Sequence, residues 1–81
     1  MTVTVHLFAI LRDKAGTGSC ALSLPDGATV AAAAEALAGR FPALAGAVPR
    51  VAYAVNREYA GAATVLRDGD ELALIPPVSG G

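Results

Sequence analysis

Cysteine is almost missing from this 81-residue chain: Cys20 stands alone. One cysteine excludes an internal disulfide framework and any multi-cysteine zinc or iron–sulfur site. Charge of one sign is also lacking. Six basic and seven acidic side chains leave a net charge of −1. The cations Arg12, Lys14, Arg40, Arg50, Arg57 and Arg67 are scattered and form no stripe, which excludes nucleic acid as a partner class. No apolar run reaches the roughly 18 residues that a membrane span needs. No charged N-terminal region precedes an apolar stretch, so no signal peptide is expected. Low-complexity polar tracts are absent too, and the apolar fraction is 54%. Together these describe one small folded domain, expected to be cytoplasmic and away from membranes.

What is present is organised by period. Val3, Val5, Leu7 and Ala9 alternate with Thr4, His6, Phe8 and Ile10, which predicts a strand over Thr2–Leu11. Arg12 to Gly18 is polar and glycine-rich and reads as a hairpin connection. Ser19–Leu24 alternates again, with Cys20, Leu22 and Leu24 on one side. That placement makes Cys20 a small core residue rather than a reactive thiol. Pro25-Asp26-Gly27 is a turn. Thr29 sits where a helix N-cap belongs, and Val30, Ala33, Ala34, Leu37 and Phe41 follow at helical spacing until Pro42. A short turn is expected over residues 43–47. A third strand is expected over Val51–Asn56, a short apolar stretch at Thr64–Leu66, and a turn at Arg67–Asp70. The last strand is expected over Glu71–Ile75.

One helix can cover only one face of a sheet. The first two strands pair antiparallel, and the first and last lie parallel across a long connection. The expected class is α+β: a β-grasp, or ubiquitin-like, fold, with a mixed sheet of four to five strands and one main helix on one face. Residues 1–75 form the body and 76–81 a flexible tail. The uncovered face is expected to carry Phe8, Ile10 and Ile75, with Tyr59 nearby, as a patch suited to a partner. His6 has no relay partner in the sequence. Asp68, Asp70 and Glu71 read as a solvated turn rather than a cation site.

The chain closes on Pro76-Pro77-Val78-Ser79-Gly80-Gly81. With nine glycines in 81 residues, a terminal pair would arise by chance about once in 81, one ninth squared. Two residues without Cβ put an unhindered carboxylate at the end. The prolines favour an extended, stiff base, and six residues span at most about 20 Å. Such an end can enter a narrow tunnel and be worked on as a substrate.

Leu66-Arg-Asp-Gly-Asp-Glu-Leu-Ala-Leu-Ile-Pro-Pro-Val-Ser-Gly-Gly81 resembles the closing signature of the MoaD family of ubiquitin-like sulfur carriers, the small subunits of molybdopterin synthase. Leu7–Arg12, Ala15-Gly16-Thr17, Arg40–Leu44 and Ala54–Tyr59 support the resemblance. It implies that an E1-like adenylating enzyme uses ATP to activate the carboxylate of Gly81, next to Gly80. A sulfur donor (a sulfurtransferase or desulfurase) then makes the thiocarboxylate. The sulfur goes to cyclic pyranopterin monophosphate, building the molybdopterin dithiolene. The resemblance also implies a heterotetramer of two small and two large subunits. In it the large subunit takes Phe8, Tyr59, Ile75, Pro76, Pro77, Val78 and Ser79. No bound cofactor and no metal are expected, and the chain by itself is expected to be non-catalytic. Three alternatives stay open: a carrier for thiamin, cysteine or tRNA thiolation, a ubiquitin-like modifier joined to lysines, and a plain β-grasp interaction module.

Overall fold

Alternating side chains draw the first residues into strand β1 (Thr2–Leu7), which buries Val3, Val5 and Leu7. The structure is a computed structural model describing residues 1–77. Strand β2 (Ser19–Ser23) pairs with β1 antiparallel, setting Cys20 beside Val5 and Leu22 beside Val3. Cys20 is half-buried against the core. The predicted pairing is present, but β1 ends at Leu7 rather than Leu11, and the connection is not a plain glycine loop. Ile10–Ala15 forms a short helix, α1, closed by Gly16 at φ 76°, whose N–H donates to the Arg12 carbonyl. The cause lies at Ala9, with φ 51° and ψ −125°. An L-residue avoids that conformation, and it turns the chain out of the sheet. Leu11 then drops fully into the core and anchors α1.

Helix α2 (Val30–Arg40) starts where predicted. The Thr29 hydroxyl accepts from the Ala32 N–H at 3.2 Å. Two further N–H groups of the first turn are satisfied from outside: Val30 donates to the Thr64 carbonyl and Ala31 to that of Ala62, both at 2.9 Å. Val30, Ala33, Ala34 and Leu37 face the core. Phe41 ends the helix, and Pro42 opens the first of two short 3-10 turns, Pro42–Leu44 and Val48–Arg50.

Strands β3 (Ala52–Val55), β4 (Glu58–Ala60) and β5 (Glu71–Ile75) complete the sheet. Strand β4 takes the place of the predicted stretch at Thr64–Leu66, which makes only a single bridge, from Val65 to Thr29. Asn56 and Arg57, at φ 51° and 71°, form the two-residue β3–β4 turn. Both being left-handed matches the twist that hairpins favour. The strand order is β2-β1-β5-β3-β4, with β5 parallel to β1 and antiparallel to β3. This is the β-grasp architecture. Leu72 and Leu74 of the central strand are fully buried, each burial contributing about 2 kcal/mol.

The turn before β5 is exposed, as expected, and is also a hydrogen-bonded clasp. Asp70 accepts from the Arg67 N–H at 2.8 Å and from Asn56 Nδ2 at 3.0 Å. Asn56 Oδ1 accepts from the Glu71 N–H at 3.0 Å, and Asp68 accepts from the Thr2 N–H at 2.8 Å. The clasp joins the start of β1, the β3–β4 turn and the entry to β5. Three donors, the Arg67 and Thr2 N–H groups and the Asn56 amide, thus reach the carboxylates of Asp70 and Asp68.

Candidate functional site

Strand register decides which side chains share the open face. Partners in a ladder point to the same side. His6 therefore stands beside Ala73, Ala73 beside Ala54, and Ala54 beside Tyr59, all on the face away from α2. The middle of this row is alanine, so the face is shallow there, with larger groups around it. Tyr59 is 83% exposed and Phe8, just past β1, is 49% exposed. Ile75 is half-buried at the end of β5, paired with Ala52. Register puts Tyr59 and Ile75 on this sheet face, at β4 and the end of β5, and Phe8 lines a hollow on it with His6 and Ala73. Ile10 does not join them. The turn at Ala9 carries it onto α1, where it is 53% exposed beside the foot of the tail.

Two polar residues belong to the open face as well. His6 Nε2 lies 2.9 Å from Glu71 Oε1, a partner 65 positions away in sequence. Arg57, lifted by its left-handed turn, lines a hollow of about 240 Å³ with His6, Phe8, Glu71 and Ala73. The signal available for Arg57 was the Val55-Asn56-Arg57-Glu58 turn itself. Neither neighbour is adjacent in sequence, so periodicity alone does not find them.

The tail leaves from the middle of the sheet, because β5 is the central strand. Pro76 is half-buried and Pro77 exposed. Missing an N–H, neither can extend the ladder. They close one side of a cleft of about 260 Å³. Helix α1 supplies Ile10, Leu11 and Lys14 to it, and the segment around the second 3-10 turn supplies Ala47, Arg50 and Val51. The predicted site residues Val78, Ser79, Gly80 and Gly81 lie outside the described residues.

The resolved shift is at Asp70, in the clasp. Hydrogen bonds from the Arg67 N–H and then from Asn56, aided by the Arg67 charge, hold its carboxyl below the ordinary aspartate value of 3.8. Among the described residues no three His, Cys, Asp or Glu side chains gather as a metal site. No helix among them is long and apolar enough to cross a membrane. The described surfaces are an open sheet face and the base of the tail.

Comparison with known proteins gives concordant matches. The model of the ThiS family matches residues 5–81. The chain is similar to the molybdopterin synthase sulfur carrier subunit of Arabidopsis thaliana, with 37% identity over 79 residues, covering 98% of this chain and 82% of the relative. It is 36% identical over 83 residues to the molybdopterin synthase sulfur carrier subunit of Chlamydomonas reinhardtii, with both chains fully covered. Among solved structures it resembles small archaeal modifier protein 1 of H. volcanii. The TM-score is 0.90 and identity 34%, covering 95% of this chain and 98% of that one.

Proposed function

The chain belongs to the ThiS family, and from that premise we propose that it is the sulfur-carrier small subunit of a molybdopterin synthase. The observation that carries this is the pair of full-length relatives that bear that name. The geometry supports it: the central strand leads into Pro76 and Pro77 at the base of the tail, beside a face with exposed Phe8 and Tyr59.

The chemistry follows from the weakness of a carboxylate as an electrophile. A partner adenylating enzyme lets an oxygen of Gly81 attack the α-phosphorus of ATP. Pyrophosphate leaves, and the acyl carbon now carries AMP as a good leaving group. The terminal sulfur of a donor persulfide displaces AMP to give an acyl disulfide, and a second thiol cleaves its S–S bond, leaving a thiocarboxylate on Gly81 and a disulfide on the donor side. This soft anion is the nucleophile that delivers sulfur to cyclic pyranopterin monophosphate, and water restores the carboxylate. The chain contributes the handle and the docking surface. The large subunit and the adenylating enzyme contribute the catalysis, and ATP is bound by the latter.

Deletion of Gly81 tests the reading. Thermal unfolding should be unchanged, while precursor conversion by the complex with the large subunit should be abolished. Conversion at the wild-type rate would end the proposal. Intact mass of the protein from its own cells should show an oxygen-to-sulfur exchange at the C-terminus.

The likeness to an archaeal modifier favours a second reading, in which activated Gly81 acylates lysines. One structural fact sharpens it. Lys14 is the sole lysine. The N-terminal amine already donates to the Leu24 carbonyl at 2.8 Å, with Asp26 3.7 Å away. A lysine-linked polymer of this chain would join Gly81 to Lys14. Conjugates that vanish with Gly81 mark the modifier.

A further inference from the structure

The cleft at the foot of the tail has features that sulfur carriage by Gly81 does not itself require. Its walls are apolar, from Ile10 and Leu11 on one side and Ala47 and Val51 on the other. Two exposed cations, Lys14 and Arg50, line it, and no carboxylate does. Neither cation has an ion-pair partner among the described residues. Arg40 gives the contrast. Its Nη1 donates to the Ala21 carbonyl at 2.8 Å, and its guanidinium lies 5.4 Å from the Phe41 ring centroid. In a chain of net charge −1, two unpaired cations flanking one apolar opening make a local positive site.

An opening of that kind complements an acidic side chain carried on an apolar segment. Its position says whose. Pro76 and Pro77 are both a wall of the cleft and the base of the tail. They continue from Ile75, which belongs to the open face. A protein that takes in the tail passes Pro76 and Pro77, so the cleft they wall adjoins its path. We propose that the cleft is a second docking surface, which receives an acidic, apolar segment of the synthase large subunit. The contact then wraps around the tail base, from Phe8 and Tyr59 on the sheet to Ile10 on α1. The inference rests on the carrier reading and extends its interface to α1 and the second 3-10 turn.

The test uses the full chain and the large subunit from the same source, with association followed by stopped flow at low and high salt. Lys14→Glu and Arg50→Glu should each slow association several-fold, approaching about tenfold at low salt, and the difference should shrink as salt rises. Ile10→Ser should speed dissociation. Arg40→Glu makes the same charge change on another surface and should leave the rate near wild type. All four positions are exposed, and thermal unfolding checks that each variant folds. Unchanged kinetics in Lys14→Glu and Arg50→Glu, with wild-type binding intact, would overturn the cleft assignment alone. So would an equal loss in Arg40→Glu, which would mean that overall charge governs. A wild-type chain that fails to bind the large subunit would overturn the carrier reading, and this assignment with it.

Discussion

Asp70 shows how one ionised side chain can close a fold at its surface. Its oxygens accept from the Arg67 N–H and from Asn56 Nδ2, one bond to each, and the ionised carboxylate is the form that accepts both best. The folded-state value is lowered, so the stabilisation is present in full above about pH 4 and is lost as pH falls through that lowered value. Thermal midpoints measured from pH 5 down to about pH 2 should fall less steeply in Asp70→Asn than in wild type. The variant should start lower at neutral pH, since the amide has one acceptor where the carboxylate has two. Equal slopes would mean that other carboxylates carry the acid sensitivity. At this scale the sequence is readable where a residue acts with its neighbours. Thr29 announces its cap and Pro42 its stop. It is silent where the partner is remote, as with His6 and Glu71 or Asp68 and Thr2.

Helix α1 is the element that periodicity misreads. Val3, Val5 and Leu7 alternate with Thr4 and His6, and the apolar run Phe8-Ala9-Ile10 carries no break signal, so a strand is the natural expectation, yet the backbone turns at Ala9. Tertiary demand wins, because burying Leu11 outweighs a strained φ. The strain makes a sharp prediction. Ala9→Gly should raise the unfolding free energy by about 1 kcal/mol, relief of strain exceeding the added freedom of the unfolded chain. Urea denaturation measures it, and a lower midpoint would show that Ala9 is unstrained in solution. Strand β4 was hidden for a different reason. Three residues are too few to display a period, and Tyr59 faces outward where a core residue would have given a signal. By contrast β1, β2, β3, β5 and α2 were legible, because each buries a stripe set by its own repeat.

For the whole molecule, the separation of the core from the open sheet face matters most. The core lies between α2 and one side of the sheet, and Phe8 stands on the other side, half in water. Phe8→Ala should therefore weaken binding to the large subunit about tenfold or more, as loss of an aromatic anchor does, with under about 1 kcal/mol change in unfolding free energy. Calorimetric titration and denaturant unfolding read the two separately. Wild-type affinity would remove Phe8 from the interface. The open face could be foreseen because strand alternation names both sides of a sheet. The cleft could not, since its cations and walls come from three separated segments.

The placement of β5 has a mechanical corollary. The strand that runs into the tail is flanked by β1 on one side and β3 on the other. Traction applied at Pro77 loads both hydrogen-bond ladders in shear, so many bonds must yield together, whereas an edge strand can peel one bond at a time. An enzyme can haul on this tether repeatedly, and the body should ride along intact.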